Sequence, residues 1–238
     1  MDKTTVDLSK PSYYSEPESK LYNAKRKISY TNVLRILSKY VENRKTTSLL
    51  EIGTGSGFLI SFLETKYPNI SIQGLEYDPR LVELTTSKLS RSIVSQGNAE
   101  AFDLDRKFDV IVSLQVIEHL YDPEKMLDCV NKHLKDDGVF IFTTPNLGCV
   151  SSIVMKDKWH GYRVDHVSLK SRRDWDDLLI RKKFQKQYSG STFFSGIPIL
   201  NKFPLGIVNW SLLYLLGSLA WSKGESYVGV FKKDDLGN

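Results

Sequence analysis

The stretch SLLEIGTGSGFL, residues 48–59, decides the fold. Ser48–Ile52 is a short apolar run of the kind that forms a strand covered on both faces. Glu51 stands inside the end of that strand. Gly53, Gly55 and Gly57 follow at alternate positions, with Thr54 between the first two. The spacing predicts a helix over 57–67, stopped at Pro68. Glycines let the backbone turn sharply and approach a ligand closely, and the helix aims its N-terminus at the same place. A dinucleotide fingerprint, G-x-G-x-x-G, fails here because position 58 is Phe. A P-loop is excluded because no Gly-Lys-Ser/Thr follows.

Outward from this loop, short apolar runs alternate with amphipathic stretches. Strands are expected at 70–77, 93–97, 108–114 and 139–144. The run FDVIVSL at 108–114 is almost wholly apolar, as a strand buried on both faces should be. Helices are expected at 79–90, opened by Asp78 as cap and Pro79 at the first position, and at 123–134. Asp137-Gly138 reads as the turn after the latter. Beyond Pro145 a helix is expected at 172–181, with late strands near 184–193 and 226–232. Upstream, 1–18 reads as an irregular arm and 19–43 as a helix. The order predicts an α/β, Rossmann-like fold, a seven-stranded, mostly parallel sheet with helices on both faces and the last strand a candidate for antiparallel pairing. Residues 1–45 form the arm and its helix. Residues 46–238 form one domain with a hydrophobic insertion at about 196–222.

The 238 residues suffice for one large domain, and 41% hydrophobic with 26% charged residues is ordinary for a globular chain. The net charge of +5 fits an acidic substrate, an anionic membrane surface or nucleic acid, and equally no particular partner. Cys129 and Cys149 have no metal-ligand spacing and form no disulfide framework. Residues 1–20 are polar and carry no apolar signal segment, so a cytoplasmic protein is expected. Residues 203–222 (FPLGIVNWSLLYLLGSLAWS) hold no charge. Pro204, Gly206 and Gly217 argue against a membrane span there. Two readings stay open: a buried helical hairpin or lid, and an interfacial helix with Trp210, Tyr214 and Trp221 at headgroup level.

The pattern E-x-G-x-G-x-G at 51–57 resembles the first motif of class I S-adenosylmethionine-dependent methyltransferases. An acidic residue ahead of the loop suits a cationic cofactor and not a pyrophosphate. Later elements agree in order: GLEYDP (74–79), GNAEAF (97–102) and FDVIVSLQVIEHL (108–120). The resemblance implies that Glu76 accepts the ribose hydroxyls, beside Tyr77. It implies that Asn98, Ala99 and Glu100 flank the adenine, and that Leu114 and Gln115 face the methionine part. Glu51, Gly53, Thr54, Gly55 and Gly57 complete the expected S-adenosyl-L-methionine site. Asp109 is a usual family position. Tyr14, Tyr22 and Arg26 are candidates to fold over the cofactor.

QVIEHL (115–120), TTPN (143–146) and RVDHVSLKSRRDWDDLL (163–179) are similar to the subgroup with ubiquinone-biosynthesis O-methyltransferases and, more distantly, small-RNA 2′-O-methyltransferases. There an E-x-x-E-H motif can hold a divalent metal, with a later His as a further ligand. Glu118 and His119 match its end, Gln115 replaces the first Glu, and His166 is the later His. Loss of one hard oxygen ligand weakens a magnesium site, so no metal is expected. His119 is then the candidate general base, with Glu118 orienting its ring and His166 as a further catalytic candidate. The bland alternative is a helix-start pair without chemistry. The expected reaction is O-methylation of a small or lipid-linked acceptor, a quinone precursor or a sugar, with peripheral membrane contact through 203–222. The alternatives are RNA 2′-O-methylation and a non-catalytic cofactor-binding module. No basic cluster interleaved with aromatics stands out, which argues against nucleic acid.

Overall fold

The computed structural model describes residues 20–42, 47–192 and 196–234, with side chains from Tyr30 onward. In chain order the elements are α1 (Lys20–Glu42), β1 (Ser48–Ile52), α2 (Phe58–Lys66), β2 (Ser71–Glu76), α3 (Pro79–Thr86), β3 (Ile93–Gln96) and β4 (Phe108–Leu114). There follow α4 (Pro123–His133), β5 (Leu134–Pro145), α5 (Val150–Met155), α6 (Arg172–Arg181), β6 (Phe184–Thr192), α7 (Leu205–Leu216), β7 (Ser218–Leu219) and β8 (Ser226–Lys233). Single 3₁₀ turns fall at Ile117–His119, Lys156–Lys158 and Pro198–Asn201.

The strands form one sheet in the order β3-β2-β1-β4-β5-β8-β6-β7. β1 to β5 run parallel, and β8 inserts antiparallel between β5 and β6. The sheet therefore has eight strands where seven are expected from sequence. The extra one is β7, two residues paired with Ser191 and Thr192. Two residues carry no periodicity, so only the pairing reveals it.

Helices cover both faces, because alternate strand residues point to opposite sides. On one side Phe140, Phe142 and Ile111 pack with Met126 and Leu127 of α4 and Trp175 and Leu178 of α6. On the other, Val110, Val112 and Ile141 pack with Val33 and Leu37 of α1 and Leu59 and Leu63 of α2. Phe140 and Phe142 stack at 5.1 Å, and Trp175 meets Phe142 edge-on at 6.0 Å. Truncating one of these rings to Ala costs about 3–5 kcal/mol.

Local chemistry sets the element ends. Asp78 caps α3 by accepting from the Arg80 N–H, with Pro79 in the first turn. Ser171 and Asp174 close a capping box on α6. The expected turn at Asp137-Gly138 lies inside β5 instead. Pairing to β4 passes from Phe108–Leu134 to Val110–Val139, so 135–138 bulge from the ladder without leaving the strand.

The uncharged 203–222 stretch forms one helix, α7, and not the buried hairpin expected as one reading. Only Gly206, Asn209 and Leu213 are buried on it. It ends at Gly217, whose positive φ of 64° turns the chain into β7. Among the described residues no helix is long and apolar enough to cross a membrane.

Candidate active site

A cavity of about 420 Å³ opens at the carboxyl ends of β1, β2 and β4. This is the edge where open α/β sheets take ligands. Gly53 leaves β1 at a φ of +77°, and a Cβ there would stand 2.3 Å from Val116 Cγ2. Its N–H donates to the Leu75 carbonyl at 2.8 Å, which ties the loop to β2. Glu76 is fixed by three backbone donors. Gly55 N–H reaches Oε2 at 2.8 Å, and Tyr77 and Asp78 N–H reach Oε1 at 2.9 and 3.1 Å. The carboxylate thus welds the glycine loop to the end of β2.

Of the sequence-predicted cofactor residues, Glu51, Gly53, Thr54, Gly55, Glu76, Tyr77, Asn98, Ala99, Leu114 and Gln115 all line this cavity, as does Glu100. Gly57 does not. Its positive φ and its approach to Thr85, 2.8 Å from a built Cβ, make it a packing glycine between α2 and α3. Asn98 Oδ1 accepts from Glu100 N–H, and Glu100 Oε1 accepts from Asp122 N–H at 2.7 Å. Asn98 thus shapes its own loop at the cavity wall, while Glu100 ties that loop to the one ahead of α4. Gln115 takes a φ of +56° and donates through Nε2 to Thr143 Oγ1.

Sequence reasoning missed Tyr30, Phe58, Leu120 and Tyr121, which form part of the wall. Tyr30 and Phe58 meet at 5.6 Å between ring centroids, bringing α1 over the glycine loop. Aromatic residues flanking a glycine motif were the available signal. Tyr14 and the side chains of Tyr22 and Arg26 lie outside the described residues. Asp109 sits at the opposite end of its strand, where Oδ2 accepts from Thr47 and Ser48 and Oδ1 from Lys135. Burial raises its pKa, but these donors outweigh it and hold the carboxyl at about 2.

The wall carries three carboxylates, Glu51, Glu76 and Glu100, and among the described residues no lysine or arginine. That donor set repels a phosphate-bearing cofactor and fits a ligand with cationic amino and sulfonium groups. S-adenosylmethionine fits on this ground.

The reaction-centre candidates divide. His119 lines the cavity, while Glu118 and His166 stand behind it. The three offer ligand atoms within 4.8 Å of one another, a spacing one metal ion can bridge. The His119 and His166 rings meet edge-on at 4.8 Å. Glu118 is fully buried; Oε2 accepts from Thr144 Oγ1 at 3.1 Å, and Oε1 has no partner among the described residues. Burial pushes its pKa up to about 8, which favours the neutral carboxyl.

The group that orients His119 is not Glu118, as the sequence reading had it, but Asp165. Nδ1 of His119 lies 3.0 Å from the Asp165 backbone oxygen and 3.3 Å from its Oδ2. Both partners are acceptors, so Nδ1 carries the proton and Nε2 is the basic nitrogen. Glu118 cannot take this role because its side chain turns into the core toward Thr144. Arg163 grips Asp165 with two bonds of 2.9 Å. Ser168 ties this loop down, its N–H donating to the Glu118 carbonyl and its hydroxyl to the Leu120 carbonyl. His119 and His166 both have lowered pKa values because burial disfavours their charged forms.

Comparison with known proteins agrees with this geometry. A family model described as a methyltransferase domain matches residues 22–186. A malonyl-[acyl-carrier protein] O-methyltransferase of Priestia megaterium is 26% identical over 131 residues, 51% of this chain and 48% of that protein. The chain spans about half the length of the curated relatives it matches. Among solved structures, the putative methyltransferase complexed with the Haloferax volcanii Trm112 activator aligns with a TM-score of 0.66 at 15% identity. It covers 93% of this chain and 98% of that one. The plantazolicin methyltransferase BamL, complexed with SAH, aligns at 0.65 and 14% identity, covering 91% of this chain and 87% of that one. With the family model covering more than half of the residues, and with a cavity whose wall suits a cation, the chain belongs to the methyltransferase-domain family.

Proposed function

We propose that the protein methylates an oxygen of a small or lipid-linked acceptor, a quinone precursor or a sugar, as in the ubiquinone-biosynthesis O-methyltransferase-like subgroup. In this reading it is cytoplasmic and works peripherally at a membrane face. The observation that carries the chemistry is the His119–Asp165 pair at the cavity wall. The malonyl-[acyl-carrier protein] relatives, themselves O-methyltransferases, support the choice of oxygen.

When bound, S-adenosylmethionine supplies a methyl group on a positively charged sulfur and leaves as a neutral thioether. Glu76, held by three backbone N–H groups, takes the ribose hydroxyls. Glu51 and Glu100 offset the positive charge of the ligand. His119 Nε2 receives the hydroxyl proton as the acceptor oxygen forms its bond to carbon. Asp165 stabilises the resulting imidazolium across Nδ1. Tyr30, Phe58 and Leu120 line the cavity with apolar surface, and in-line placement supplies the remaining rate.

Glu118, His119 and His166 enter this reading without a metal. Gln115 in place of a carboxylate removes one hard, charged oxygen ligand, which disfavours a hard cation. The experiment is methyl-labelled cofactor with fractionated cell extract, comparing the protein with His119→Ala. Label in a hydroxyl-bearing small molecule or lipid, lost in the variant and insensitive to EDTA, is the expected result. Label in RNA, or EDTA-sensitive transfer, would overturn the acceptor class or the metal-free role respectively. Cofactor binding without any labelled product would favour a binding module.

A further inference from the structure

We infer that α5 and the 196–224 segment around α7 together form an apolar, lysine-bordered surface that seats the protein on an anionic lipid bilayer beside its cavity. The inference rests on the lipid-linked acceptor reading for its purpose, though not for its physics. A helix apolar all round belongs in a core or in lipid. Among the described residues α7 rests one side on α1 and the Pro198–Asn201 turn and leaves the rest bare. Ile207 is 60% exposed, Leu215 67%, and Phe203, just ahead of the helix, 86%. α5 adds Ile153 at 55% and Val154 at 60%. Isolated exposed apolar side chains are ordinary, but a run of them along one uncharged helix is not.

The two parts are joined. The Val150 N–H donates to the Lys223 carbonyl at 3.0 Å, and Lys223 Nζ donates to the Gly148 carbonyl. At the other end of the segment, the Gly196 N–H donates to Ser151 Oγ at 2.9 Å. The first turn of α5 thus holds both ends of the stretch that carries α7. Asn146, one residue past β5, adds two bonds of 2.8 Å to the carbonyls of Ser222 and Gly224. The surface is therefore anchored at the carboxyl edge of the sheet, the edge on which the cofactor cavity opens.

Charge decides the occupant. Exposed Lys156 and Lys158 follow α5, exposed Lys202 precedes α7 and exposed Lys223 follows it. Across 150–158 and 196–224 the one acidic residue is Asp157. A second copy of this face would bring like charges together. Anionic headgroups meet the lysines while acyl chains meet the apolar side chains, the two-part binding of an interfacial helix. A lipid-linked acceptor would then arrive in the plane where the cavity opens.

The test is flotation of the full chain with phosphatidylcholine vesicles and with phosphatidylcholine–phosphatidylglycerol vesicles. The variants are Ile207→Ser/Leu215→Ser, Ile153→Ser/Val154→Ser and Lys202→Glu/Lys223→Glu. Binding to the anionic vesicles, weakened by salt and falling about ten-fold or more in each variant, is expected. Calorimetry with S-adenosylmethionine checks that each variant keeps its fold and cofactor affinity. No binding by the unmodified protein overturns the inference, as does equal binding by all three variants. Light scattering that shows a dimer broken by the Ile207→Ser/Leu215→Ser change overturns it too, since another copy then covers the face. Vesicle binding with methylation of soluble acceptors alone supports the surface and removes only the lipid-linked acceptor.

Discussion

Nδ1 of His119 lies between two oxygens of one residue, the backbone carbonyl of Asp165 at 3.0 Å and its carboxylate Oδ2 at 3.3 Å. The backbone oxygen fixes the tautomer and the carboxylate supplies charge. These two roles separate under mutation. Asp165→Asn keeps the backbone acceptor and removes the charge. The carboxylate is about half exposed, so its loss is milder than that of a buried triad acid. We expect kcat to fall about ten-fold with the cofactor Kd unchanged, and Asp165→Glu to restore part of the rate. Steady-state rates on the labelled acceptor check this. A fall in cofactor affinity would instead mean a structural role.

The pH dependence follows from the same pair. A general base works when unprotonated. Burial lowers the His119 pKa from 6.5, while the Asp165 charge partly raises it. The acidic limb of kcat/KM therefore falls below pH 6.5. In Asp165→Asn the raising influence is gone, so the limb moves to still lower pH. A limb moving upward in the variant would contradict the pairing.

Glu118 makes a stability prediction of opposite sense to an ordinary acid. Its folded pKa stands at about 8 and its ordinary value is 4.5. Between those values the unfolded chain binds fewer protons, so stability falls as pH rises through that window. Glu118→Gln removes this loss. Urea melts above about pH 8 should show the variant more stable by roughly 2–4 kcal/mol, with the gain vanishing near pH 4.5. A variant less stable at every pH would mean that the carboxylate is ionised and compensated.

Asp109 behaves in the usual direction. Its carboxyl is held at about 2 by Lys135 and the start of β1, so its contribution is present above its ordinary pKa of 3.8 and lost as pH falls toward 2. Asp109→Ala strips acceptors from Thr47, Ser48 and Lys135. A cost of about 1–3 kcal/mol at pH 7 is expected in denaturant melts, without change in cofactor affinity.

The parts legible in sequence were those where one physical rule acts alone. β1 and β4 carry the predicted bounds because a strand covered on both faces must be largely apolar, and α6 carries its predicted bounds as well. The cavity-lining residues around the glycine loop were legible because glycine spacing and acid position constrain the backbone itself. Gly57 stands off the cavity wall, and close packing on Thr85 demands the same residue as close approach to a ligand. Asp165 was illegible because it works from an exposed loop, through a fold-made contact 46 residues from its partner. The exposure of α7 was equally hidden, since an uncharged stretch reads alike whether buried or bare.

The proposed chemistry depends on Glu76 and the glycine loop making a site for S-adenosylmethionine. Isothermal calorimetry on the purified chain, with Glu76→Ala beside it, measures this directly. Binding by the unmodified chain and a loss of at least about ten-fold in Glu76→Ala are expected, because two charge-assisted hydrogen bonds disappear. No heat with S-adenosylmethionine in the unmodified chain, or equal affinity in both, would contradict the account.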